Sequence, residues 1–245
     1  MLRTIAGLLI SVLTPVILTC YVKGKIEELI NLSKSAIKLT GFAVALPIGF
    51  ICGFAPQLLS LWVGPEFVKL SPLMLLMLSH LVINLPVMLL FEISIAYNKV
   101  RIPGIVTFWM GIGNFLLAVL IPHLTGWGYY GVAVAGAIVL TLKNALFTPW
   151  YATKVLGISR TTFISSMFPG ALAMFITIGS CRLINFFVPI SGFGALMISG
   201  IIVTIAYMGS VWIFTKENVE RQIIMSMIPS FIRYRFKLGI KNSMK

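Results

Sequence analysis

Long apolar stretches recur from one end of the chain to the other, and the short connectors between them hold most of the charged residues. A helix needs roughly 20 apolar residues to cross a hydrocarbon core about 30 Å thick. The pattern therefore predicts an all-α protein, a polytopic transmembrane helix bundle of about seven spans. We place the predicted spans at Leu2–Val22, Leu39–Leu61, Pro72–Tyr97, Ile102–Pro122, Tyr129–Ala152, Phe163–Val188 and Ile190–Phe214.

Composition agrees with a membrane protein and argues against a soluble domain. Of the 245 residues, 59% are hydrophobic and only 10% are charged, whereas about a quarter of a soluble domain is charged. The net charge of +13 does not indicate a nucleic-acid partner, because the basic residues lie in connectors instead of on one aromatic-rich surface. We interpret them as determinants of topology that contact anionic lipid headgroups.

The basic residues are distributed unevenly between the two sides of the predicted bundle. Fifteen of the 19 Lys and Arg residues fall in the connectors after the first, third and fifth spans and in the tail, while Arg3 and Lys69 fall on the other side. Because cytoplasmic loops are enriched in Lys and Arg, we expect the N-terminus outside and the C-terminus in the cytoplasm. We predict a multi-pass protein of the plasma membrane, with the bundle at 1–215 and a basic tail at 216–245.

Two basic segments alternate apolar and charged residues in a way that is typical of helices lying on a membrane surface. These are the connector Lys23–Lys38 and the tail segment Gln222–Lys245. We expect each to form a short amphipathic helix on the cytoplasmic side. We also expect the first span to remain uncleaved, because the lysines that follow it argue against a signal peptide.

Charges inside the spans are the first candidates for function, because a charge in the hydrocarbon region is costly. Glu92 and Lys143 lie in the third and fifth spans. They fit either an ion pair between neighbouring helices or a substrate or ion path. Arg182 lies near the outer end of the sixth span, where it either snorkels to the interface or joins the path.

Polar residues of the third span add to these candidates. His80, Asn84 and Glu92 are spaced in multiples of four, and each step of four rotates about 40° around a helix. They therefore form a stripe that either faces a water-filled cavity or makes interhelical hydrogen bonds. The sequence contains no metal-ligand cluster and no catalytic motif, so we expect no enzyme activity, no metal and no cofactor.

Three stretches resemble a known family of transporters. The loop Leu61–Phe67, the basic turn Asn98–Arg101 and the helix entry Gly126–Ala135 are similar, in this order, to stretches of the polysaccharide flippases. These belong to the multidrug/oligosaccharidyl-lipid/polysaccharide exporter superfamily. The loop positions that carry the likeness are Leu61, Trp62, Gly64, Pro65 and Glu66.

The resemblance implies a flippase that moves a polyprenyl-linked oligosaccharide for cell-surface polysaccharide biosynthesis by alternating access between two helical bundles. It covers the C-terminal half of the family's length, so we expect a partial chain whose partner is an N-terminal-half chain or a second copy. By analogy with the family, Lys143 and Arg182 would bind the anionic pyrophosphate of a lipid-linked glycan.

Three other functions stay open at this point. The first is half of a cation-coupled multidrug exporter from the same superfamily, with Glu92 as the coupling carboxylate. The second is a membrane partner or gene remnant that transports nothing. The third is a membrane-embedded glycolipid enzyme, which needs carboxylates or a histidine near an interface, and the short outer loops offer few of these.

Overall fold

The computed structural model describes residues 2–188 and 192–214, and every regular element in these ranges is helical. Three short 3₁₀ turns and one π-turn connect the α-helices, at Pro65–Leu70, Pro86–Leu89, Ile164–Ser166 and Leu142–Phe147 respectively. The α-helices are α1 (Leu2–Val22), α2 (Ile26–Gly53), α3 (Ala55–Trp62), α4 (Ser71–Ser79), α5 (Leu81–Asn84), α6 (Leu90–Ala96), α7 (Arg101–Thr125), α8 (Tyr129–Thr141), α9 (Thr148–Leu156), α10 (Phe168–Phe187) and α11 (Phe193–Phe214).

Seven helical segments in the described residues are long and apolar enough to cross a membrane, which confirms the predicted all-α polytopic bundle. The predicted tail 216–245, with its amphipathic segment Gln222–Lys245, lies outside the described residues. The seven segments are Leu2–Val22, Ile26–Gly53, Pro65–Ala96, Arg101–Thr125, Tyr129–Leu156, Ile164–Phe187 and Phe193–Val211.

The second span begins earlier than the sequence indicates. Helix α2 runs without a break from Ile26, so the prediction of a separate surface helix at Lys23–Lys38 is wrong. Leu29 and Ile37, the apolar positions of that segment, are fully buried in a cluster with residues of α1 and α6. A protein core and a membrane surface both select an apolar helix face, and here the face packs on protein.

The third span is broken into short pieces instead of forming one straight helix. The chain turns at His80, between α4 and α5, and again at Pro86, where a 3₁₀ turn replaces the α-helix. Proline lacks the N–H that would bond the carbonyl four residues earlier, and its ring clashes with that carbonyl. The break leaves α5 as a four-residue segment in the middle of the span.

The fifth span also departs from α-helical geometry, through the π-turn Leu142–Phe147. Both the backbone N–H and the hydroxyl of Thr148 donate to the carbonyl oxygen of Lys143, and the hydroxyl contact measures 3.0 Å. Pro149 follows directly and has no N–H to donate, so the wider turn is tolerated there. π-turns inside α-helices occur frequently at functional sites.

Helices α2 and α10 form the tightest contact of the bundle. Their backbones approach at Gly41 and Gly170, where a Cβ on Gly41 would lie 3.3 Å from the Cα of Gly170. Further along, Gly53 lies against Cys181. Small residues at such a crossing let two membrane helices come close enough for dense van der Waals packing. Helix α11 is tied to this pair by the Tyr207 hydroxyl, which donates to the Phe42 carbonyl at 2.8 Å.

The two ends of the bundle differ in composition. At the basic end, where the connectors carry most Lys and Arg residues, the rings of Tyr21 and Tyr97 lie 4.5 Å apart and join α1 to the third span. At the opposite, aromatic end, Trp62 and Trp127 are exposed. Exposed tryptophans at helix ends are typical of the membrane–water interface.

Candidate functional site

Lys143 projects from the π-turn of the fifth span and does not form the predicted ion pair with Glu92. Its Nζ lies 5.0 Å from the centroid of the Phe91 ring, a cation–π contact. In the described part of the chain the one ion pair within 4.0 Å joins Lys25 to Glu28, both exposed at the start of α2. The ion-pair interpretation of Glu92 and Lys143 is therefore wrong, and Lys143 is held by an aromatic ring instead.

Arg3 is a second cation whose charge acts on Lys143. It is exposed near the start of α1, and its effect on the Lys143 ammonium is smaller than that of burial. The sequence suggested only a topological role for Arg3, at the outer end of the first span. Two like charges near one another within spanning helices are costly unless water or an anion separates them.

Helix α1 carries a polar exposed face on the same side as Arg3. Thr4, Gly7 and Ser11 are all exposed and follow the spacing of one helix face. A different side of α1 packs against the core, through Leu13 and Cys20. We call Arg3, Thr4, Gly7 and Ser11 the α1 wall. Leu8 and Val12 beside this wall are each 64% exposed, so the exposed surface of α1 is polar only along the wall itself. Lipid favours an apolar surface, so this polar strip fits contact with water or with a polar ligand.

His80 and Asn84 are brought together by the break in the third span. The Nδ2 atom of Asn84 lies 2.7 Å from the Nδ1 atom of His80, a contact within the third span and not between helices. Asn84 is only 3% exposed, and its Oδ1 atom is buried without a hydrogen-bond partner. Segment α5, which carries Asn84, packs against the π-turn that carries Lys143.

Arg182 lies apart from these groups. It is exposed on α10, where the neighbouring Cys181 faces Gly53 in the tight helix contact. It is close to the end of α10 at Phe187, within reach of the interface for a long side chain. The geometry thus favours snorkelling over the family-style role beside Lys143.

The family-like loop forms the turn at the aromatic end between α3 and α4. Leu61 and Trp62 end α3, with Trp62 82% exposed, and Pro65 begins the following 3₁₀ turn. Gly64 has φ 138°, a conformation that residues with a Cβ rarely adopt. The carboxylate of Glu66 folds back over Gly64, with both oxygens 2.7 Å from the place of a Cβ. The spacing of Gly64, Pro65 and Glu66 therefore follows from the structure of this turn.

A groove of about 740 Å³ has a different character from the polar groups. It is bordered by α2, α5, the π-turn, α10 and α11, and it is lined almost wholly by apolar side chains, among them Phe42, Phe168 and Phe175. None of Glu92, Lys143, Arg182, His80 and Asn84 lines it. We therefore place the candidate site at Arg3, Lys143 and the α1 wall, with the His80–Asn84 pair beside the π-turn.

Sequence reasoning missed two members of this site. The sequence indicated only a role in membrane orientation for Arg3, and Phe91 did not stand out from the other apolar residues of its span. Phe91 could have been found from its position directly before Glu92, because an ion pair between Glu92 and Lys143 would already place that helix turn beside Lys143. No pattern in the sequence marks the π-turn except Pro149, which follows it.

Comparison with known proteins supports the membrane assignment. No protein-family model matches the chain, and no solved structure matches it. The chain is 34% identical over 225 residues to a Bacillus subtilis (strain 168) protein named "Uncharacterized membrane protein EpsK". The alignment covers 92% of this chain and 45% of that protein, so the chain spans less than half of its relative's length. With its seven apolar helices, the chain is a multi-pass membrane protein.

Proposed function

We propose that this chain is one half of a flippase that moves a polyprenyl-linked oligosaccharide across the plasma membrane, with the C-terminus in the cytoplasm. The proposal joins the likeness of the loop Leu61–Phe67 to the polysaccharide flippases with the polar groups on one side of the bundle. The longer relative supports the expectation of a second half.

The observation that carries the proposal is that Lys143, a cation inside the fifth span, contacts the Phe91 ring and no carboxylate. Arg3 likewise forms no ion pair within the described helices, and its positive charge acts on Lys143. An anion that binds near these two cations would be attracted by both. A diphosphate linker supplies such an anion, and guanidinium and ammonium groups both bind phosphate oxygens.

The half-bundle explains why the charges are open to one side. The α1 wall is exposed, although a different side of α1 is buried. In a transporter with two bundles the substrate site lies at their interface, near the middle of the membrane. A second bundle facing α1 would enclose Arg3 and Lys143 in a cavity, with the α1 wall as its polar lining.

The test is transport by the full-length product of the gene in proteoliposomes, with a fluorescent polyprenyl-diphosphate-linked oligosaccharide as substrate. We expect Lys143→Gln and Arg3→Gln each to slow flipping by roughly 10- to 100-fold, the factor for about 1.5–3 kcal/mol of a charged hydrogen bond. Lys143→Arg should retain most of the rate, because it keeps the charge. Lys69→Gln, an exposed lysine at the aromatic end, is the matched control for loss of one positive charge.

Unchanged flipping in Lys143→Gln and Arg3→Gln would refute the anion site. The same assay separates this proposal from a cation-coupled exporter, in which Glu92→Gln would abolish transport while Lys143→Gln would not. If the full-length protein flips no lipid-linked oligosaccharide at all, the flippase proposal itself fails.

A further inference from the structure

His80 and Asn84 make a hydrogen bond whose direction depends on the protonation state of the imidazole ring. With Nδ2 of Asn84 as the donor, Nδ1 of His80 accepts at 2.7 Å. A neutral histidine has one ring nitrogen with a proton and one without. In this arrangement the proton of the neutral ring lies on Nε2, and the lone pair of Nδ1 accepts the hydrogen bond from the amide.

The other end of the Asn84 amide is unsatisfied. Its Oδ1 atom is buried and accepts no hydrogen bond, although amide oxygens in protein interiors are almost always paired. Leaving a buried acceptor unpaired costs free energy that a suitable donor would recover. His80 and Asn84 thus combine a ring nitrogen that can take up a proton with an amide oxygen that lacks a hydrogen-bond donor.

His80 is partly exposed at the surface of the third span, whereas Asn84 is buried. The titratable or charged side chains on elements that pack against α4 and α5, at this level of the bundle or toward its aromatic end, are Cys52, Glu66, Lys69, Tyr129, Tyr130, Lys143, Cys181 and Arg182.

We propose that His80 and Asn84 form a proton-binding site in the third span, in which the amide of Asn84 rotates when His80 takes up a proton. A proton from water adds to the lone pair of Nδ1, and the ring becomes an imidazolium with a proton on each nitrogen. Nδ1 then donates, so the Nδ2 donor must turn away and Oδ1 turns toward the ring. The formerly unpaired oxygen accepts a charge-assisted hydrogen bond, which is stronger than the neutral one it replaces, while Nδ2 moves to the position where Oδ1 had no partner.

The location of the site gives the rotation a consequence beyond the pair. Asn84 ends the short segment α5, which packs against the π-turn that carries Lys143. Rotation places an amide donor where an acceptor stood, so the pair presents a different polar surface in each protonation state. This inference does not depend on the proposed flippase function, because proton binding is measured on the protein without any substrate.

The experiment is NMR of the full chain in lipid nanodiscs, labelled with ¹⁵N at histidine and at the asparagine side chains, between pH 8 and pH 4.5. The chain has two histidines, so His123→Gln leaves the His80 signals alone. We expect the Nε2–H tautomer of His80 at high pH and the imidazolium at low pH. The Asn84 amide signals should shift with the same midpoint.

Asn114 is the matched control, because its Oδ1 atom is also buried without a partner but belongs to no histidine pair. Its amide signals should not move with His80. In Asn84→Leu, the high-pH ring should lose its preference for Nε2–H and populate both tautomers.

A His80 ring that stays neutral to pH 4.5 in the folded protein overturns the proton site. A ring that titrates while the Asn84 amide signals stay fixed, or move equally with those of Asn114, overturns the amide rotation. Both outcomes are read on the wild-type chain, so they do not require Asn84→Leu to fold.

Discussion

Gly53→Ala is the sharpest test of the contact between α2 and α10. A Cβ at position 53 would lie 2.5 Å from the Cβ and 3.0 Å from the Sγ of Cys181, and 3.4 Å from the Cα of Ile178. Ordinary van der Waals contacts of a Cβ begin at 3.4 Å, so the new methyl group overlaps Cys181 by about 1 Å. Rotation of the cysteine does not relieve this, because its Cβ is fixed to the helix backbone.

Two opposing effects set the size of the change. Overpacking of a dense interior costs about 1–3 kcal/mol. Alanine in a helix interior regains about 0.5–1 kcal/mol relative to glycine. We therefore expect Gly53→Ala to destabilise the bundle by about 1–2 kcal/mol. The measurement is the midpoint of thermal unfolding of the purified protein in detergent, followed by tryptophan fluorescence at one scan rate.

Two further variants make this prediction refutable. Gly179→Ala is the matched control on α10, since nothing lies within 4 Å of a Cβ there, and its midpoint should equal or exceed that of the wild type. Cys181→Gly in the background of Gly53→Ala moves the Cβ from one helix to the other and should restore the midpoint in part. If Gly53→Ala unfolds at the same temperature as Gly179→Ala, the close contact is wrong.

Three smaller predictions concern the aromatic end of the bundle, its basic end and helix α11. Gly64→Ala should weaken the loop at the aromatic end, because φ is 138° and the Glu66 carboxylate occupies the Cβ position. The measurement is proteolysis of that loop, which should be faster than in Gly126→Ala, where φ is also positive but the space is open. Burial, and then the neighbouring Tyr21, raises the pKa of Tyr97, just past the third span. The folded state therefore favours the neutral phenol. This preference stabilises the folded protein below the ordinary tyrosine pKa of about 10, and the stabilisation decreases as pH rises through that value. Tyr97→Phe should therefore reduce the fall of the unfolding midpoint at alkaline pH. Tyr207→Phe should cost about 0.5–1.5 kcal/mol, the contribution of one hydrogen bond, and an unchanged midpoint would contradict the bond to Phe42.

The sequence predicted the number and approximate position of the spans because a single physical property decides them. A helix in hydrocarbon must be apolar along its whole length, and that requirement is visible in every window of residues. The same property does not locate the start of α2. Leu29 and Ile37 are apolar because they pack against α1 and α6, and an interfacial helix would need the same residues.

The candidate site was harder to predict, because it depends on distances between spans that periodicity does not contain. Glu92 and Lys143 have opposite charges and similar depth, which favoured an ion pair. The π-turn and the break at Pro86 instead leave Lys143 over Phe91 and within the field of Arg3. The His80–Asn84 bond was predictable to the extent that both lie on one helix turn, whereas the unpaired Oδ1 of Asn84 was not.

The two irregular places of the bundle carry its candidate groups. Asn84 lies just before the 3₁₀ turn that Pro86 begins, and Lys143 lies in the π-turn that Pro149 follows. Irregular backbone at membrane depth is tolerated where protein buries it or where it lines a water-filled cavity. The contact between these two turns satisfies the first condition. The second condition would be met in the two-bundle flippase proposed above, where a second bundle facing α1 would leave a water-filled cavity between the α1 wall and Lys143.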